Sequence, residues 1–485
     1  MEFAQWLRPQ LVEPLLSSRL DVDQPRLLEH AQMLGDLRLI ELQPAADVVD
    51  RRRAGAQQLD DAEAVGFGEG GQGVEHAENM PHREYSCQGI LVAGRLGYHR
   101  RVVPSALAAA LRGLPGVWTE LDDSARQEQF VASASAHRVR PLLAWALRRS
   151  GELQAWPAAI RDPLIASTRA EGVLEIARRH ELSRLIRIFD AAGITVLVIK
   201  GAALAYDVYA EPWLRPREDT DLLVRPGDAS RAGEVLTAAG YRAVARQSGR
   251  IVTNQQLYVR SDAPHRDAVD LHWKIADPAT FADLLSADDL IRDAVVVALG
   301  DAGGMRVPCR AHALLLACWH RVAHHHDVER LLWLYDIHLL AGALQEAGGH
   351  RLLETARRTK TAAVCASAVS LAVDAFRSPA AAALLIQLQQ STDDQGSPAA
   401  LYLRDDARPV DRLLADLRTL PTWSGRARLV REHLFPPAQY MRATYGRSSA
   451  AMLPALYVWR VAAGVRRWLQ RPDRPVDRGD GGERA

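Results

Sequence analysis

Asp219 and Asp221 stand two residues apart in Leu214-Arg-Pro-Arg-Glu-Asp-Thr-Asp-Leu-Leu-Val224, at the mouth of an apolar run. Side chains alternate along a strand, so residues i and i+2 point to the same side. Both carboxylates can then reach one hard cation such as Mg²⁺, which takes oxygen ligands and keeps substrate phosphates in the rest of its shell. A third acid, Asp270, follows downstream in Ala268-Val-Asp-Leu-His-Trp273. The competing explanation for the pair is a cap before a strand, and for Asp270 the cap of a hairpin.

The elements that must position these acids are legible around them. Ala192-Gly-Ile-Thr-Val-Leu-Val-Ile199 is a β-branched run that predicts a buried strand. A short helix is expected over 201–209, a second strand over 222–225, and a helix from Pro226 to Ala239 that Gly240 ends. Residues 241–245 offer a third strand, and 256–260 with 268–275 a hairpin around Ser261–His265. Before this unit, helices are expected near 105–112, from a cap at Asp123 or Ser124 through Phe130, over 137–149, and over 163–192 with Asp162 as cap and Pro163 in first position. After about 300 the pattern is helical again, over 311–340 and 351–376.

The fold class expected is α+β: a small mixed-sheet core at 191–298 between a helical region at 103–190 and a helical domain at 299–470. Residues 1–102 show no sustained period and read as a poorly ordered arm or a mis-called N-terminal extension. The Gly-rich piece at 66–74 follows no strand, which argues against a dinucleotide loop. Residues 471–485 read as a disordered tail.

A net charge of +1 over 485 residues argues against a general polyanion binder. Cys87, Cys309, Cys318 and Cys365 form no CxxC pair, so neither a zinc ribbon nor a disulfide framework is indicated, and a reducing cytoplasm fits. No signal peptide or membrane span is expected. Of 60 Lys and Arg residues, three are lysine, Lys200, Lys274 and Lys360, as GC-rich coding would give. Lys200 is therefore notable beside the acids.

The order strand, Lys200-Gly201-Ala202, short helix, Asp219-Thr-Asp221, strand, helix, hairpin, Asp270 resembles the DNA polymerase β-like nucleotidyltransferases. It is more similar to the bacterial uncharacterised nucleotidyltransferase family, through Lys200–Ala205, Arg215–Val224 and Leu271–Trp273. Trp333–His338 and Leu434–Pro437 extend the likeness over about 104–470. The resemblance implies transfer of a nucleoside monophosphate from an NTP to an acceptor hydroxyl, with release of pyrophosphate. It implies Asp219, Asp221 and Asp270 as ligands of Mg²⁺ or Mn²⁺, two ions being the usual number. Asp270 would complete one metal site or accept the hydroxyl proton. Lys200, Gly201, Arg215 and Arg217 would bind the NTP phosphates, Gly201 by close backbone approach and the cations by charge. Ala202 departs from the wider superfamily, which has Ser there. The acceptor is left open among small molecule, peptide, protein and RNA.

A catalytically silent nucleotide-binding or adaptor protein of the same fold is the alternative, favoured by Ala202. His320 and His324 share a helix face with Asp327, but the spacing lacks the HExxH order, and a polar face lining the cleft is the expected role. Arg215 and Arg217 have a plain solvated alternative. His272 and Trp273 are expected to pack at the sheet edge, Asp336 to pair with an Arg or cap a neighbour, and helix 453–469 to be a packed terminal helix.

Overall fold

Short apolar runs build a five-stranded mixed sheet from β1 (Leu197–Ile199), β2 (Thr220–Leu223), β3 (Arg242–Ala243), β4 (Gln255–Arg260) and β5 (Asp267–His272). The spatial order is β1-β2-β5-β4-β3, with β2 and β5 parallel and the other pairs antiparallel. The computed structural model describes residues 105–469, apart from 245–248, 250, 261–266, 301–302, 326–329, 392–395, 405 and 446–451. The arm or extension at 1–102, the tail at 471–485, the turn Ser261–His265 and Asp327 lie outside the described residues.

The period of two sets which side chains meet. Val198, Leu222, Val269 and Leu271 pack with Leu182, Leu185 and Phe189 of the helix Ala158–Ala191, and with Ala232 and Leu236 of the helix Ala229–Ala238. Leu222 is 0% exposed and Leu271 1%. Each such side chain contributes roughly 1.5–3 kcal/mol by leaving water. A one-residue slip would turn these leucines out and the carboxylates into the core, so burial fixes the register. In that register Asp221 stands opposite Asp270 on one side and Ile199 on the other.

Helices cover the rest. Asp123 caps Ser124–Ala136 through its carboxylate on Arg126 N–H at 2.7 Å. Gly240, at φ 93, closes the helix Ala229–Ala238 as expected. The helix expected from Pro163 begins instead at Ala158 and carries Pro163 inside it. Ile160 and Leu164, both 0% exposed, anchor the earlier turn, and their burial outweighs the backbone bond that proline removes. The run 311–340 forms two helices, Arg310–His325 and Leu331–Gly342, and the run 351–376 is divided between Glu346–Arg358 and Ala362–Phe376. Lys360, in the left-handed region at φ 53, makes the second break.

An unexpected hairpin, β6 (Val295–Ala298) with β7 (Gly304–Val307), follows β5. Its signals are a Val-Val-Val run and two left-handed glycines, Gly300 and Gly303. Leu299, Met305 and Val307 join the apolar core beneath the sheet, across the boundary expected at 298. The terminal helix Leu453–Leu469 is tied back through Tyr457 to the Pro436 carbonyl at 2.6 Å, and through Arg460 to the His433 carbonyl and Tyr445. Among the described residues no helix is long and apolar enough to cross a membrane.

Candidate active site

β1 hands directly into the helix Lys200–Asp207, and Lys200 takes up the turn at φ 52. A lysine in the left-handed region costs free energy that surrounding contacts must offset. The contacts are present. Its Nζ donates to Asp221 Oδ1 at 2.7 Å and lies 3.2 Å from His272 Nε2. His272 Nε2 is 3.0 Å from the same Asp221 oxygen. Asp221, Asp270 and His272 each bring a potential ligand atom within 4.8 Å of the others. Asp219, one position ahead of β2, lines the same cleft.

The three carboxylates differ in environment. Asp221 is 6% exposed, yet Lys200 and the His272 hydrogen bond overcome its burial and hold it well below the usual carboxylate range. Asp219 is pushed up to about 6, first by lost hydration in the recess and then by Asp221. Asp270 goes further, to about 8, through lost hydration and the nearby Asp219 and Asp221. Neither Asp219 nor Asp270 receives a hydrogen bond from a described residue. For Lys200, burial favours loss of the proton, but Asp221, Asp270 and Asp219 outweigh it and raise its pKa. His272 is pushed down to about 4 by burial and by Lys200, so the ring is neutral. Its Nε2 then either donates to Asp221 or accepts from Lys200, since one atom cannot do both.

The two arginines before β2 are buried ion pairs, not solvated charges. Arg215 forks onto Asp336 through Nε at 2.9 Å and Nη2 at 2.8 Å, and Tyr209 donates to the same carboxylate at 2.6 Å. Asp336 thus pairs with an arginine, the first of the two structural roles expected for it. Arg217 pairs with Glu175 at 2.7 Å, which also accepts from Tyr206. These pairs bind the segment carrying Asp219 to the helices Ala158–Ala191 and Leu331–Gly342. Gly201 has a packing reason: a Cβ there would stand 3.1 Å from Arg215 Nη1. Ala202 is 1% exposed within the apolar core, so this position presents no polar group to the cleft.

The cleft holds roughly 1240 Å³ of empty space, partly open to solvent. Beside the acids the cleft is lined by Arg138, which pairs with Glu218 at 3.0 Å, and by His320, His324, Arg330 and Trp333. The His320 and His324 rings stand 4.9 Å apart, and the cleft-lining role expected for that helix face is what they have.

A family described as uncharacterised nucleotidyltransferases matches residues 123–377. The chain belongs to this family. The match takes in Lys200–Ala205, Arg215–Val224, Leu271–Trp273 and Trp333–His338, and ends before Leu434–Pro437. A comparison with curated proteins gives no match. His272, expected to pack at the sheet edge, stands instead on β5 between β2 and β4, where pairing on both sides turns its ring onto Asp221. Asp270 and His272 repeat the i, i+2 spacing of Asp219 and Asp221, which is the signal that finds it.

Proposed function

We propose that this nucleotidyltransferase moves a nucleoside monophosphate from an NTP to an acceptor hydroxyl, with pyrophosphate leaving, in a reaction that requires a divalent cation. The observation that supports it most is the state of Asp219 and Asp270. Two recessed carboxylates without a hydrogen-bond donor are costly unless a cation joins them. Three carboxylates and one imidazole suit Mg²⁺ or Mn²⁺. Asp219, Asp221 and Asp270 would hold the ion, with His272 beside them. When bound, it neutralises charge on the phosphoryl group under attack.

The protein's own groups do the rest. Asp270, once the ion has displaced the proton it holds near neutrality, would complete the ligand set or take the proton of the attacking hydroxyl. Lys200 adds a fixed positive charge at the same point. The phosphate role expected for Arg215 and Arg217 becomes indirect: their guanidinium groups line the cleft while their charge is met by Asp336 and Glu175. The lining of Arg138 and Arg330 with His320 and His324 suits the polyanionic tail of an NTP. Little covalent chemistry is asked of the fold, and positioning and charge carry the rate.

The test incubates purified protein with Mg²⁺ or Mn²⁺, each α-³²P NTP and cell extract. Labelled product is expected from wild type. The Asp219→Asn/Asp221→Asn variant is expected to lose on the order of 10²-fold or more. Equal signals from the two proteins would reject the enzyme and leave a silent nucleotide-binding or adaptor protein, the reading that Ala202 favours.

A further inference from the structure

The Lys200 ammonium sits where the chemistry of the site calls for cations. It is bonded to Asp221 Oδ1 at 2.7 Å, within 3.2 Å of His272 Nε2, and in the field of Asp219 and Asp270. Two-ion sites hold their metals about 3.5–4 Å apart and need carboxylate oxygens facing both. Asp221 is the central carboxylate of the cluster, flanked by Ile199 on β1 and Asp270 on β5. Its Oδ1 is already faced by Lys200 Nζ and His272 Nε2, so one of its two oxygens is engaged by groups of the chain itself.

The backbone supports a fixed placement. Lys200 is a non-glycine residue at φ 52, at the junction of β1 and its helix, with Ile199 before it 1% exposed. Strained backbone of this kind is kept where the side chain it aims has work to do. Its side chain is 17% exposed, so the stem is held as well as the head.

We infer that the cluster is built for one divalent ion, with the Lys200 ammonium standing in the place of a second. The site would then run on one exchangeable ion and one cation built into the chain. A lysine cannot reproduce metal coordination, but its ammonium brings a positive charge to Asp221 that needs no ion from solution. This inference rests on the nucleotidyltransferase reading.

The experiment uses the full chain with MnCl₂ and each of the α,β-methylene nucleoside triphosphates. Anomalous density at the manganese edge counts ions among Asp219, Asp221 and Asp270. Electron paramagnetic resonance reports whether two ions are spin-coupled. Wild type is expected to show one peak and an uncoupled signal. Lys200→Met keeps the length of the stem and removes the charge, and it is expected to admit a second, coupled ion. Two coupled ions in wild type would overturn the inference and leave the reaction standing. One ion in both proteins would also overturn it, because Lys200 would not be what limits the number. No ion in either would remove the metal-dependent reading together with the inference. If Lys200→Met does not fold, Lys200→Ala takes its place in the comparison, and two coupled ions in wild type overturn the inference whichever variant is used.

Discussion

Asp336→Ala isolates what holds the acid-bearing segment in place. Asp336 is 3% exposed and Arg215 8%. The substitution removes both acceptors of the Arg215 fork and the partner of Tyr209. One Arg215 bond then remains, to the Pro216 carbonyl at 3.1 Å. Breaking a buried pair by removing one member costs about 3–5 kcal/mol, because the other charge stays buried. That is a shift of at least about a hundredfold in the folding equilibrium. The assay is urea denaturation followed by tryptophan fluorescence, with Asp283→Ala as reference. Asp283 is 68% exposed in its pair with Lys274, and such a pair contributes no more than about 1 kcal/mol. If Asp336→Ala costs no more than this reference, the buried clamp is not what fixes the segment, and the account of Arg215 fails.

Other predictions follow from the same geometry. Gly201→Ala puts a Cβ 3.1 Å from Nη1 and 3.3 Å from Cζ of an arginine that Asp336 prevents from moving. A net loss of about 1–2 kcal/mol is expected in denaturation, crowding outweighing the gain in helix propensity; a gain in stability would show that Arg215 yields easily. Asp270, pushed up to about 8, holds a proton near neutrality that a divalent ion must displace. Calorimetric titration of Mn²⁺ at pH 7, in buffers of different protonation enthalpy, should report close to one proton released by wild type and none by Asp270→Asn; no release by wild type would contradict the assignment. His433 is pushed down to about 4, from an ordinary 6.5, by burial and then by Arg460. Between those values the unfolded chain binds more protons, so stability falls as pH drops through that window. His433→Gln should reduce the drop in urea midpoint between pH 7 and pH 5, and an unchanged drop would place the loss elsewhere.

What could be read from the sequence was what depends on neighbours along the chain. The i, i+2 acids, the β-branched runs and Gly240 gave the strands, their faces and one helix end, and the motif order gave the family. What escaped depends on partners far away in sequence. Glu175 lies 42 residues from Arg217 and Asp336 lies 121 from Arg215, so nothing in their spacing marks either arginine as already neutralised. Pro163 misplaced a helix start because burial of Ile160 and Leu164 decides that turn, and burial is a property of the assembled fold. The β6–β7 hairpin has its signals in its valines and glycines, but its strands are four residues each and β6 is largely exposed, too short and too open for a period to stand out.

The central claim is that the phosphorus attacked is the α one. Parallel reactions with α-³²P and γ-³²P NTP, in Mg²⁺ or Mn²⁺ with cell extract, test it most directly. The account predicts that the α label stays with the acceptor, that the γ label leaves in pyrophosphate, and that both signals vanish with chelator and in Asp221→Asn. Transfer of the γ label to the acceptor, or label movement indifferent to Asp221, would contradict it.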